Sequence, residues 1–387
     1  MITNFRHTDL HLVDPPFGSN LNTLILDLDY LRKKQIIGTT HPLIFLQLKS
    51  IFHLLESIGS ARIEGNRTTL AEYIEKIIEG NKTIKDENIL EIKNNENALN
   101  FIENNIHSKN INRMFLSEIH KITTNNLTIP PNGEGSRNPG DYRKINILIA
   151  HSSHIPPDTS TVASYMEDLL DFINQQDKPQ YDLLKVALAH HRFSWIHPFD
   201  NGNGRVVRLL TYAMLIQYGF RVNISGRIIN PTDIFCCDRE KYYNLLSLAD
   251  NGNNKNLLLW CEYVLEGLKT EISKVDKLLN YKFLSNNILL PAIDFALERK
   301  YIIEREQKIL KLAIKKQTIR AYDVKQILPK KVPAEISRII KRLKDKNMLQ
   351  AEKKSSRIYT LRFDNNYLLR GIIKMLDKEK FLPIPVN

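Results

Sequence analysis

The sequence predicts a mainly α-helical chain with a short β-hairpin flap, followed by a winged helix-turn-helix domain, on three observations. Apolar residues recur at i, i+3 and i+4 through most of residues 43–279, with few strand-like alternations. One β-rich stretch, 142–149, interrupts that period. Beyond residue 279 the rhythm shortens to 304–314, 321–327 and 333–346, and then to 356–363 with strand character.

Each element has its own signal. Residues 182–193 are apolar on nearly every side (Leu183, Leu184, Val186, Ala187, Leu188), as a central buried helix requires, and lead straight into Trp195, Ile196 and His197. The stretch 142–149 follows the turn formers Asn138, Pro139 and Gly140 and precedes Pro156 and Pro157, which reads as a hairpin-like flap. A long helix is expected over 257–279. Pro333 suits the first turn of the third short helix, whose stripe Ile336, Ile339, Ile340 and Leu343 leaves Arg338, Lys341, Arg342 and Lys344 outward. The expected division is 1–109 for an N-terminal helical region, 110–280 for a catalytic core, 281–363 for the winged domain and 364–387 for a tail.

At 387 residues the chain is long enough for two or three domains. It has no run of about 18 apolar residues, and residues 1–20 hold acids, His and Pro where a signal peptide needs a basic and then an apolar segment. A cytoplasmic protein without a membrane partner is expected. Cys236, Cys237 and Cys261 are too few for a disulfide scaffold and lack CxxC spacing, so they read as thiols without a role. The net charge of +12 is concentrated: residues 301–363 hold 18 Lys and Arg against 6 Asp and Glu, and the remainder balances. A polyanion such as DNA would therefore meet the C-terminal part.

The chemistry centres on His197-Pro-Phe-Asp-Asn-Gly-Asn-Gly-Arg205-Val-Val-Arg208. A glycine-bearing loop follows a buried helix and opens another, whose first-turn N–H groups lack intrahelical partners. Gly202 and Gly204 permit close backbone approach to a phosphate, Arg205 and Arg208 add charge one turn apart, and His197 accepts a proton near neutral pH. His190 and His191, adjacent on a helix, diverge too far to share a zinc and read as packing. Residues 250–254 read as a turn between helices.

This string resembles the Fic signature HPFx(D/E)GNGRxxR at eight fixed positions. The resemblance extends to Gly140-Asp-Tyr-Arg143, the diproline after it, and Tyr242, Tyr243 and Trp260 downstream, covering about 43–268. It implies transfer of AMP from ATP to a Ser, Thr or Tyr hydroxyl of a target protein or of the chain itself. His197 would be the base, Gly202, Asn203 and Gly204 would hold the diphosphate, Arg205 would stabilise charge developing on it, and Arg208 would meet the γ-phosphate. Phe199 would anchor the loop, Tyr242, Tyr243 and Trp260 would belong to the nucleotide site, and Ile147, Leu148 and Ile149 would pair with an extended target segment. The family's acidic Mg²⁺ position falls at Asn201, with a carboxylate one place back at Asp200; an amide carbonyl can ligate Mg²⁺ but brings no charge.

Ser60-Ala-Arg-Ile-Glu64-Gly-Asn66 resembles the inhibitory motif (S/T)xxxE(G/N) of some Fic proteins. It implies that Glu64 pairs with Arg208 and removes the cation the γ-phosphate needs. A homo-oligomer is a further expectation. Two other functions remain open: a DNA-binding regulator whose Fic core senses nucleotide, and a phosphotransferase of the same fold.

Overall fold

The computed structural model describes residues 5–33, 39–78, 86–106, 110–149, 152–220, 229–364 and 366–382. The chain is mainly helical, as expected, and forms two compact units. The first comprises residues 1–35, 56–67 and 84–272; the second comprises 36–55, 68–83 and 273–387. These bounds depart from the expected division: 36–55 and 68–83 group with the C-terminal chain. Contacts distant in sequence decide this, and a linear reading does not contain them. Gln47, for example, donates to the Leu361 carbonyl at 3.0 Å and accepts the Phe363 N–H at 2.7 Å.

In the first unit, helices Glu87–Asn105, Arg113–Thr124, Thr159–Asn174 and Arg239–Ala249 each begin on an Asp or Asn whose side chain accepts a first-turn N–H: Asp86, Asn112, Asp158 and Asp238. They surround two helices buried along almost their whole length, Asp182–Ile196 and Asn203–Gln217. Several of the polar groups those helices carry inward find partners. Lys185 meets Asp177 at 2.7 Å, His190 bridges Thr211 and Tyr242 at 2.8 and 3.0 Å, and His191 meets Asp250 at 3.0 Å. Both histidines therefore pack, as expected.

The second unit holds helices Glu304–Lys316, Ala321–Ile327 and Pro333–Asp345, then strands Leu349–Ala351 and Tyr359–Leu361, paired antiparallel with Leu349 opposite Leu361. Ile319 bridges to Tyr359. Ile336, Ile339, Ile340 and Leu343 are buried as the stripe requires. The expected tail contains helix Leu368–Lys378, which packs so closely on Leu290–Glu298 that a Cβ at Gly371 would lie 2.8 Å from the Ala292 carbonyl oxygen. The last five residues of that tail and the boundary at 109 lie outside the described residues.

One expectation fails. Residues 142–149 contain no strand, and the two strands found among the described residues are those of the second unit. A hairpin needs a returning partner, whereas this stretch is held by single bonds to other segments: the Arg143 backbone N–H donates to the Pro198 carbonyl at 2.8 Å, and the Asn146 side chain joins Asp158 and the Thr159 N–H at 2.6 and 3.0 Å. No helix among the described residues is long and apolar enough to cross a membrane.

Candidate active site

Helix Asp182–Ile196 stops at His197, which takes the left-handed conformation (φ 51°) while its N–H still bonds to the Phe193 carbonyl. Its Nδ1 lies 3.3 Å from the Ser194 carbonyl, an acceptor, so Nδ1 carries the proton and Nε2 keeps a lone pair. Burial pushes the imidazole down to about 4, against the weaker opposing pull of the Ser194 carbonyl and Glu64. His197 is thus a neutral base at ordinary pH.

The loop that follows is held from inside. Phe199 is fully buried and stacks on His120 at 3.8 Å and 9°. The Phe199 N–H and carbonyl are both taken by the Asn203 side chain, at 2.9 and 2.8 Å. Asn203 therefore acts on the loop with its side chain and leaves only its backbone to face an anion. His120 donates from Nε2 to the Asn201 carbonyl at 3.0 Å and accepts the Gly140 N–H on Nδ1 at 2.8 Å. Arg143 donates from Nε to the His197 carbonyl at 2.9 Å and from Nη2 to the Pro157 carbonyl. Reasoning from sequence missed His120, whose helix shows only an ordinary amphipathic pattern.

Gly202, at φ 74°, turns the chain into helix Asn203–Gln217. Over the start of that helix lies Glu64: a Cβ at Gly204 would collide with its carboxylate. Glu64 accepts from Arg208 Nη2 at 2.7 Å, and Ser60 accepts from Arg208 Nε on its hydroxyl at 2.9 Å and from Nη2 on its carbonyl at 3.0 Å. Burial pushes the Glu64 carboxyl up, but the Arg208 guanidinium, helped by Arg205 and His197, outweighs it and holds the group below the usual range. The structure thus brings Ser60, Glu64 and Arg208 together as expected.

Arg205 follows Gly204 in the first turn of that helix. It is fully buried, with Nη2 on the Glu134 carbonyl at 2.6 Å and near its carboxylate at 3.4 Å, and with Nη1 3.4 Å from the Thr123 carbonyl and from Glu91 Oε1. Its charge sits behind the loop. Tyr242 and Trp260 are also core residues, the first bonded to His190 and the second donating to the Ala187 carbonyl at 2.6 Å. Tyr243 is the member of that trio exposed to solvent. Of the flap residues, Leu148 stands 82% exposed, and Ile147 and Ile149 are half-buried.

The residues at 200 and 201 do not fit a magnesium ion. Asp200 accepts the Ser136 hydroxyl on one oxygen at 2.5 Å and the Arg137 N–H on the other at 2.8 Å. The Asn201 carbonyl oxygen accepts the Gly202 N–H at 2.8 Å, and its amide donates to Gly135 and Glu134 at 3.1 and 3.3 Å. Both side chains brace the loop.

Residues 110–215 match the Fic/DOC family. Similar curated proteins include the protein adenylyltransferase Fic of Culex quinquefasciatus, 30% identical over 210 residues (52% of this chain, 37% of the relative). That of Nematostella vectensis is 29% identical over 203 residues (50% and 42%). The chain thus spans about two-fifths of the length of these relatives. Among solved structures, a Fic family protein from Desulfovibrio desulfuricans G20 aligns with a TM-score of 0.53 and 18% identity, covering 90% of this chain and 98% of that one. A Fic domain containing signaling protein from Bacteroides thetaiotaomicron VPI-5482 aligns with a TM-score of 0.51 and 20% identity, covering 67% and 97%. At those identities the likeness is one of fold.

Proposed function

Because residues 110–215 are a Fic/DOC domain, we propose that the chain transfers AMP from ATP to a Ser, Thr or Tyr hydroxyl of a protein, and that Glu64 holds this activity down. The observation that carries the reading is the Glu64 carboxylate seated over Gly204 and bonded to Arg208, an anion of the chain's own at a helix start suited to phosphate. In the reaction, His197 Nε2 takes the hydroxyl proton, the oxygen bonds to the α-phosphorus, and the bond from that phosphorus to the β-phosphate oxygen breaks to release pyrophosphate. The backbone of residues 202–204 holds the leaving diphosphate, and Arg208 meets the γ-phosphate once Glu64 withdraws. Arg205, buried behind the loop, adds positive charge toward that diphosphate. Tyr243 offers an exposed aromatic face to the base, and the target segment lies along 147–149. A Mg²⁺ that accompanies ATP draws its negative ligands from the phosphates, since Asp200 and Asn201 are committed to the loop, and no step here depends on it.

ATP labelled separately at the α- and γ-phosphate tests the reading on the purified chain carrying Glu64→Gly. Label from the α-phosphate alone, with a mass increase of one AMP, supports it; label from the γ-phosphate alone replaces it with phosphotransfer, and binding without label replaces it with a sensor. Running the assay at two protein concentrations separates modification within a chain from modification between copies in a homo-oligomer. The three cysteines form no disulfide, which suits a reducing compartment such as the cytoplasm.

A second reading concerns the second unit. Helices Glu304–Lys316, Ala321–Ile327 and Pro333–Asp345 with the strand pair follow the order of a winged helix, and Arg338, Lys341, Arg342 and Lys344 on the third helix are exposed, as are Lys353, Lys354 and Arg357 between the strands. We read these as contacts to DNA, the helix in the major groove and the wing on backbone. Gel shift of the full chain at two salt concentrations tests this: log affinity falls by about 0.9 per phosphate contacted for each unit of log salt. No retardation at low salt defeats it.

A further inference from the structure

Glu64 and Ser60 make a first set of contacts between the inhibitory segment and the phosphate site, both on Arg208. The second runs through Glu91, on helix Glu87–Asn105, which neither the inhibitory motif nor the Fic signature includes. Just after Glu64 the chain leaves its helix at Gly65, whose φ of 106° is open to glycine and strained for other residues. That turn brings Asn66 against Glu87–Asn105, where its side-chain amide donates to Glu91 Oε2 at 2.7 Å and to the Asn88 carbonyl at 3.0 Å. The other Glu91 oxygen, Oε1, is buried, makes no hydrogen bond, and lies 3.4 Å from Arg205 Nη1. Glu91 is 3% exposed and Arg205 is fully buried, so this charge pair is shielded from water, unlike the pair Arg205 makes with the more exposed Glu134.

We propose that Glu91 is the positioning residue of this site. One oxygen fixes the Arg205 guanidinium behind the phosphate loop, and the other seats Asn66 and so holds Glu64 over Gly204. The inference rests on the adenylyl-transfer reading and deepens it, because the group that orders the transfer machinery also receives the segment that shuts it off.

The two oxygens have separable roles, and this gives the test. Asn66→Ala removes the seat and leaves Arg205 untouched. Glu91→Gln keeps volume and an acceptor for Asn66 but removes the charge that faces Arg205. In the full-length chain, Asn66→Ala is expected to raise α-phosphate labelling by about fivefold to tenfold, as for one lost hydrogen bond, and to speed amide hydrogen exchange over residues 62–66. In a Glu64→Gly background Asn66→Ala should be silent, because the inhibitory carboxylate is already gone. Glu91→Gln in that background should lower kcat by about tenfold with KM for ATP within about twofold, the split expected of a group that acts on the leaving diphosphate through Arg205. A purely structural Glu91 would lower the melting temperature and leave that split unmoved.

Unchanged exchange and unchanged labelling in Asn66→Ala overturn the seat. A Glu91→Gln, Glu64→Gly double variant with the parent kcat overturns the positioning of Arg205. If Glu64→Gly itself transfers nothing, the adenylyl-transfer reading falls, and hydrogen exchange at 62–66 still decides whether Glu91 and Asn66 seat the segment.

Discussion

The loop 197–208 and the flap 142–149 lie side by side and share Arg143, yet they are built in opposite ways. In the loop nearly every polar group has a partner within the loop or directly behind it: Asn203 clasps Phe199, Asn201 caps Gly202, Asp200 takes Ser136 and Arg137, and His120 closes on the Asn201 carbonyl. The flap is tied down at Arg143 and Asn146 and then presents Leu148 to solvent. The difference teaches what each must do. Both constructions suit the proposed roles: a loop receiving phosphate would have to hold its shape before the ligand arrives, whereas a segment receiving a polypeptide would need backbone left over to pair with it.

The largest break in this contrast is His197→Ala, which is expected to reduce transfer by at least about 10³-fold while calorimetry still finds ATP bound, since the base goes and the cradle stays. Next comes Glu64→Gly, expected to raise labelling by at least about tenfold by freeing Arg208, a cation worth several kcal/mol to a phosphate in a buried site. The pH dependence of that variant sharpens the assignment of the base. Burial depresses the His197 imidazole to about 4 with Glu64 in place, and losing Glu64 removes an upward pull; the acid limb of kcat/KM should therefore appear no higher than about 4, well below 6.5, about tenfold per pH unit below it. Asp200→Ala should cost about 1–3 kcal/mol in chemical denaturation, because it strands the Arg137 N–H and the Ser136 hydroxyl. The smallest effect belongs to the flap: Leu148→Asp should change stability by less than about 0.5 kcal/mol and lower modification of a protein target.

Much of the first unit was legible in advance because its signals are local. The all-round apolar character of 182–193 announces a buried helix, and the structure buries it. The spacing of Ser60 and Glu64 places both on one helical face, and both reach Arg208. What sequence cannot express is which side of a loop a side chain takes. Asn203, Arg205, Tyr242 and Trp260 sit in or beside recognisable motifs, yet all four turn inward, since the partners that capture them (Phe199, Glu134, His190, Ala187) are fixed only by the packed fold. His120 was invisible for the same reason: a histidine on an amphipathic helix carries no sign of the two loops it will join. The flap misled in another way, because β-branched residues beside a turn suggest a strand whether or not a partner strand exists.

On the function proposed above, the position of Gly204 under Glu64 sets how the site responds to ATP. Glu64 is distant from the phosphate cradle in sequence, but the fold holds its carboxylate against it, so it never diffuses away. On that reading ATP competes with a permanent intramolecular rival, and the level at which it wins depends on how firmly the stretch from Ile63 to Asn66 is held as much as on its own affinity. Tuning that tether, with the phosphate contacts left alone, would shift the nucleotide threshold of the whole protein.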